Sequence, residues 1–118
     1  MGGYDPVSYR DLAVSPQQGR DDLAFEHAGV RYLFATEENR ERFERKPELF
    51  LPRYAGWCAM SLALGGYTCP DYANFKLQGG QLYLFEKTLF TDGRVLWDAN
   101  PSGNRERADQ NWQAAAPH

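Results

Sequence analysis

The dipeptide Gly79-Gly80 constrains this chain more than any other feature. It stands between residues 74–77 and Gln81–Phe85, and two successive glycines supply the positive φ angles that a two-residue hairpin turn demands. After it, Leu82 and Leu84 alternate with Tyr83, the period of a strand with two distinct faces. A second hairpin is expected over 23–34. Leu23 and Phe25 lead into a turn at His27-Ala28-Gly29, and Val30, Tyr32 and Phe34 follow on one face.

Helical signals sit between and after these hairpins. Thr36 is suited to an N-cap, and Glu37 and Glu38 place negative charge where the helix dipole favours it. That helix should run to about Lys46 and stop before Pro47, with Phe43 inward and Arg40, Glu41, Glu44 and Arg45 solvated. A second helix is expected from Pro52 or Arg53 to Leu64, closed by Gly65-Gly66, with Cys58 in its first two turns. A short C-terminal helix is expected over 100–116, with Asn104 as its cap and Ala108 and Trp112 four residues apart. Asp5-Pro6 predicts an opening turn, and the polar stretch 14–22, with Pro16 and Gly19, predicts a surface loop. Strand and helix do not alternate regularly, so the expected fold is α+β: a small antiparallel sheet of hairpins packed with about three short helices.

At 118 residues, a single domain over 1–118 would bury roughly two thirds of the surface its unfolded chain exposes. The formal net charge of -3, with bases dispersed among acids, argues against nucleic acid or an anionic membrane as partner. No stretch approaches the roughly 20 apolar residues that span a bilayer. The start Met1-Gly2-Gly3-Tyr4 has neither the basic nor the apolar region of a signal peptide. A cytoplasmic protein is expected as the chain stands, with an exported mature form as the alternative.

Two cysteines, Cys58 and Cys69, carry most of the candidate chemistry. A bridge between them and a pair of free thiols are both open, and the lack of a disulfide framework favours free thiols. Near a helix start, backbone N–H groups stabilise a thiolate, which makes Cys58 a candidate nucleophile or soft-metal ligand. Between Trp57 and Ala59 it serves equally as a small buried hydrophobe, and Cys69 before Pro70 is expected to be the more exposed. Convergence of both thiols with His27 or Met60 would suit Cu(I). In a hairpin turn, however, His27 is more simply a solvated residue, and His118 is terminal. Asp5 is most simply a turn carboxylate accepting local N–H bonds, and its functional alternative is to line a polar pocket with Tyr4 and Tyr9. No nucleophile elbow, Walker loop, zinc-protease motif or dinucleotide fingerprint is present. With two histidines, general bases near neutral pH are few.

Taken jointly, several strings resemble the YHS-domain family along nearly the whole chain. They are Gly3-Tyr4-Asp5-Pro6-Val7-Ser8-Tyr9; Gly29-x-x-Tyr32-x-Phe34; Glu38-Asn39 with Phe43 and Pro47; Tyr54-x-Gly56-x-Cys58-Ala59; Gly80-x-Leu82-Tyr83-Leu84; and Ala108-Asp109-x-x-Trp112. The resemblance implies metal handling, copper above all, through cysteines. This chain departs from that pattern. Asp5-Pro6-Val7-Ser8 stands where the metal-associated members carry their first cysteine pair, and Ala35, Thr36 and Asn39 stand in the second segment. The tyrosine and histidine of the family's name are not kept either, since His27 and Ala28 precede Gly29. Cys58 is a feature of the stand-alone, single-domain branch.

The leading expectation is therefore a small, soluble, non-catalytic binding protein. It would engage copper or another transition metal, or a metal cofactor, through Cys58 with Cys69, His27 or Asp5. One alternative is a metal-independent ligand-binding or interaction module, as a monomer or homodimer, with an aromatic pocket drawn from Tyr4, Asp5, Tyr9, Tyr54 and Trp57. Another is a thiol redox protein using Cys58.

Overall fold

The computed structural model describes residues 1–13 and 15–115. The chain is α+β, and it divides into two compact units, Met1–Leu51 and a second that begins at Pro52. Val14, Ala116 and His118, which entered the predicted loop, helix and terminus, lie outside the described residues.

The first unit is a hairpin and a helix around phenylalanines. Strand β1 (Arg20–His27) pairs antiparallel with β2 (Val30–Phe34), Phe25 opposite Tyr32 and His27 opposite Val30. Ala28 and Gly29 turn the chain with φ of 51° and 79°, the two-residue turn whose twist matches the strands it joins. The predicted loop ends earlier than expected, because Arg20 already pairs with Phe34 across a register irregularity. Just before it, Gly19 passes so close to β2 that a Cβ there would lie 2.4 Å from the Leu33 backbone, which only glycine permits. Val30 does not share the buried face of Phe34, since its place beside the turn leaves it exposed.

Helix α1 (Glu37–Arg45) starts where expected, the Thr36 hydroxyl accepting the Asn39 N–H at 3.1 Å. Its one buried residue is Phe43, whose ring meets Phe25, Tyr32, Phe34 and Phe50 at centroid distances of 6.1, 5.0, 5.2 and 6.5 Å. With Val7 and Leu23 these rings form the unit's hydrophobic cluster.

The second unit departs further from expectation. In place of one helix from Pro52 to Leu64, a tight turn over Arg53–Gly56 holds Tyr54 and Ala55 at φ of 60° and 54°. Each such residue costs about 1–3 kcal/mol. Burial of the Tyr54 ring and a 2.6 Å bond from its hydroxyl to Asp109 oppose that cost. Helix α2 then spans only Ala59–Ala63, so Cys58 is its N-cap and lies outside its turns. Gly65, at φ 91°, follows the helix as expected.

Strands β3 (Asp71–Gln78) and β4 (Gln81–Phe85) pair antiparallel through the Gly79-Gly80 turn. The side chains of β4 alternate as expected, but neither face is solvated, because Leu82, Tyr83, Leu84 and Phe85 are all buried. Tyr83 and Phe85 pack on Trp97, at 5.2 and 5.4 Å. Pro52 bridges to Leu82, and the Cβ position of Gly56 lies 3.9 Å from Leu84, so the other face is covered too.

Trp97 belongs to α3 (Gly93–Asp98), a helix the hydrophobic pattern does not predict. Asp92 caps it, accepting the Arg94 and Val95 N–H groups. The last helix, α4 (Pro101–Ala115), is the longest of the described residues and not short. Asn100 is at its start, accepting from Gly103 N–H at 3.2 Å. Asn104, predicted to be the cap, is instead buried within the helix and donates to the Trp97 carbonyl at 3.0 Å. No described helix is long and apolar enough to cross a membrane.

Ala28 is the one hairpin-turn residue at positive φ that carries a Cβ without a side chain suited to it. Ala28→Asn should therefore stabilise the protein by about 0.5–1 kcal/mol, since asparagine tolerates the left-handed region. A higher urea midpoint with an unchanged slope would show it.

Candidate functional site

Asp5 is fully buried, and its carboxylate accepts four hydrogen bonds. One oxygen accepts the Val7 N–H at 2.8 Å and the Ser8 N–H at 3.3 Å. The other accepts the Ala35 N–H and the Asn39 side-chain amide, both at 2.8 Å. The expected local turn bonds are thus joined by two remote ones, which tie the opening turn to the end of β2 and to α1. Ser8 extends the network. Its hydroxyl donates to the Asp5 carbonyl at 2.6 Å and accepts the Gln17 N–H at 2.9 Å.

This network supports a cleft. Its volume is about 440 Å³, and Val7, Ser8, Arg10, Asp11, Gln17, Asn39 and Arg42 line it. Val7, Ser8, Arg10, Asp11 and Gln17 line one side, and Asn39 and Arg42 of α1 line the other. Arg10 and Arg42 both lie over the Phe50 ring, with guanidinium carbons 5.9 and 5.4 Å from its centroid. Arg10 also donates to the Leu49 carbonyl. Burial, and then the charge of Arg42, push the Arg10 guanidinium below its ordinary value.

None of the residues expected to bind ligand lines this cleft among the described residues. Asp5 and Tyr9 are fully buried, Asp5 acting through Val7, Ser8 and Asn39, while Tyr4 bridges to Gln18 at the chain's opening. Tyr54 and Trp57 belong to the second unit. Trp57 is partly exposed, edge-on to Tyr67 at 5.6 Å. The cleft residues Arg10, Gln17 and Arg42 escaped the sequence reading because polar and cationic side chains on a turn and a helix carry no distinguishing spacing.

The thiols have separate surroundings. Cys58 is buried, Cys69 is exposed, and both are free. The Cys58 sulfur accepts the Glu86 N–H at 3.1 Å and the Ser61 N–H at 3.5 Å, joining the start of α2 to the end of β4. Thr68 adds to that joint, its carbonyl accepting the Cys58 N–H and its hydroxyl donating to Glu86 at 2.9 Å. Such a sulfur is a structural cap with little access for reagents. His27 belongs to the first unit and packs edge-on against Phe43 at 6.0 Å. Among the described residues no three His, Cys, Asp or Glu side chains come together to hold a metal ion. Comparison with known proteins finds no family model, no curated protein and no solved structure that matches the chain.

One titration follows from the second unit. Asp109 accepts from Arg53 at 2.9 Å and from Tyr54. Burial first, and then the hydrogen bond and charge of Asp109, raise the Tyr54 phenol well above its ordinary value of 10. A raised phenol keeps its proton in the folded state after the unfolded chain has begun to lose it. The stabilisation is therefore complete below pH 10 and declines as pH rises above it. Tyr54→Phe should flatten that alkaline decline in urea stability measured between pH 8 and 11, while lowering stability at neutral pH by about 1 kcal/mol for the lost bond.

Proposed function

We propose that this chain is a small, non-catalytic binding protein of the YHS type that takes a small polar ligand in the cleft of its first unit, without using a metal. The observation that carries this reading is the cleft itself. Its volume of about 440 Å³ falls in the range of small-molecule sites, and polar groups from two separate elements converge on it. Asp5 and its four bonds hold both walls in place before any ligand arrives, which lowers the cost of ordering them on binding.

The string Asp5-Pro6-Val7-Ser8-Tyr9, which carries much of the resemblance, supports the same reading, because its five residues are buried and form the turn beside the cleft. The non-catalytic character is supported by the lining: its one titratable group besides the two arginines is Asp11, an exposed carboxylate. General acid–base work near neutral pH has little to draw on there.

The reading is tested by NMR titration of the reduced, isotope-labelled protein with small sugars, amides, amino acids, carboxylates and phosphates, and separately with Cu(I) and Zn(II). Saturable shifts confined to amides within 7–17 and 39–42, from at least one organic compound or phosphate, are expected. Shifts centred on Cys58 with Cu(I), or a cleft that responds to no compound, would contradict it.

A further inference from the structure

We propose that the cleft is an oxyanion site, in which Arg10 and Arg42 grip the carboxylate or phosphate group of a small ligand. This rests on the binding role of the cleft and names the chemistry of its occupant.

The argument begins with charge. Two guanidinium groups share one cleft and one aromatic ring, Phe50, at 5.9 and 5.4 Å. Stacking on a ring face fixes the plane of each group, and the N–H edge of a guanidinium is the part that forms paired bonds to a carboxylate or phosphate. Like charges held together repel. Among the described residues Arg42 has no carboxylate partner, although the neighbouring Arg40 is paired with Glu44 at 3.7 Å. Arg10 donates to the Leu49 carbonyl, which aims that side chain.

The rest of the lining agrees. Asp11 is the one acid on it, is exposed, and has an oxygen engaged by the Ala13 N–H at 3.1 Å. Two positive charges therefore face one negative charge. The remaining lining, Val7, Ser8, Gln17 and Asn39, is uncharged. An anion entering the cleft relieves the repulsion between the arginines and gains charge-assisted hydrogen bonds in a partly desolvated place. Burial first, and then the charge of Arg42, hold the Arg10 guanidinium below its ordinary value.

The test is a titration at constant ionic strength, set with sodium chloride, of the wild type, Arg42→Gln, Arg42→Lys and Arg10→Gln. The probes are inorganic phosphate, succinate and the neutral succinamide, followed by calorimetry and by the amides of Ser8, Asn39 and Arg42. Phosphate or succinate should bind and succinamide should not, and the preferred anion identifies which source the site is built for. Arg42→Gln should weaken anion binding about tenfold or more, the equivalent of one lost charged hydrogen bond. Arg42→Lys, which keeps the charge and loses the fork, should fall between the two.

Arg10→Gln risks the fold because Arg10 also holds the Leu49 carbonyl. Among the described residues the Arg42 side chain makes no hydrogen bond of that kind, so its variants carry the test, with the urea midpoint as the check on folding. Anion binding undiminished in Arg42→Gln would overturn the proposal. A cleft that binds a neutral compound and neither anion would overturn it while leaving the binding role intact. A cleft that binds nothing would remove both.

Discussion

The arrangement of the first unit depends on one buried charge. A carboxylate taken out of water is costly unless it is fully hydrogen-bonded, and Asp5 meets that condition with three backbone N–H groups and one side-chain amide. The consequence is positional. The opening turn, the residue after β2 and the first turns of α1 are all held by the same two oxygen atoms. Phe43 sets how α1 rotates against the hairpin, and Asn39, one turn earlier on the same side, reaches Asp5. Arg42 is placed beside Phe43 by the same helix, and Arg10 follows from the turn that Asp5 closes. The cleft is thus a by-product of satisfying one carboxylate.

The second unit uses the same device with other acceptors. Asp109 on α4 takes both Arg53 and Tyr54 from the tight turn, and the Cys58 sulfur takes N–H groups from the start of α2 and the end of β4. Asn74, within β3, repeats it, its amide donating to the Glu86 carbonyl and to Asp92, the residue that caps α3. Short elements that could not bury enough apolar surface alone are located by single polar atoms that each serve two of them.

Legibility in the sequence follows the range of the interactions. Both hairpin turns could be read, because positive φ is a local demand that Gly29 and Gly79-Gly80 announce. The Thr36 cap could be read for the same reason. The region around Tyr54 could not, since helical spacing from Pro52 to Leu64 is overridden by a distant partner, Asp109. Helix α3 was hidden because six residues give no periodicity, and because Leu96 is exposed where Trp97 is buried. Asp5 was read half correctly: its local bonds follow from Asp-Pro chemistry, but Ala35 and Asn39 lie 30 and 34 residues away. The cysteines drew attention through their chemistry, while the arginines of the cleft drew none, since surface arginine is common and only their convergence on Phe50 sets them apart.

The most direct test of this account is amide hydrogen exchange at Val7 and Ala35, read residue by residue under native conditions. Both donate to a buried carboxylate, so opening either one requires the network around Asp5 to come apart. The account predicts that the two amides exchange together, and as slowly as those of the paired strands β1 and β2. Exchange at the rate of the exposed turn at Ala28 and Gly29 would contradict it.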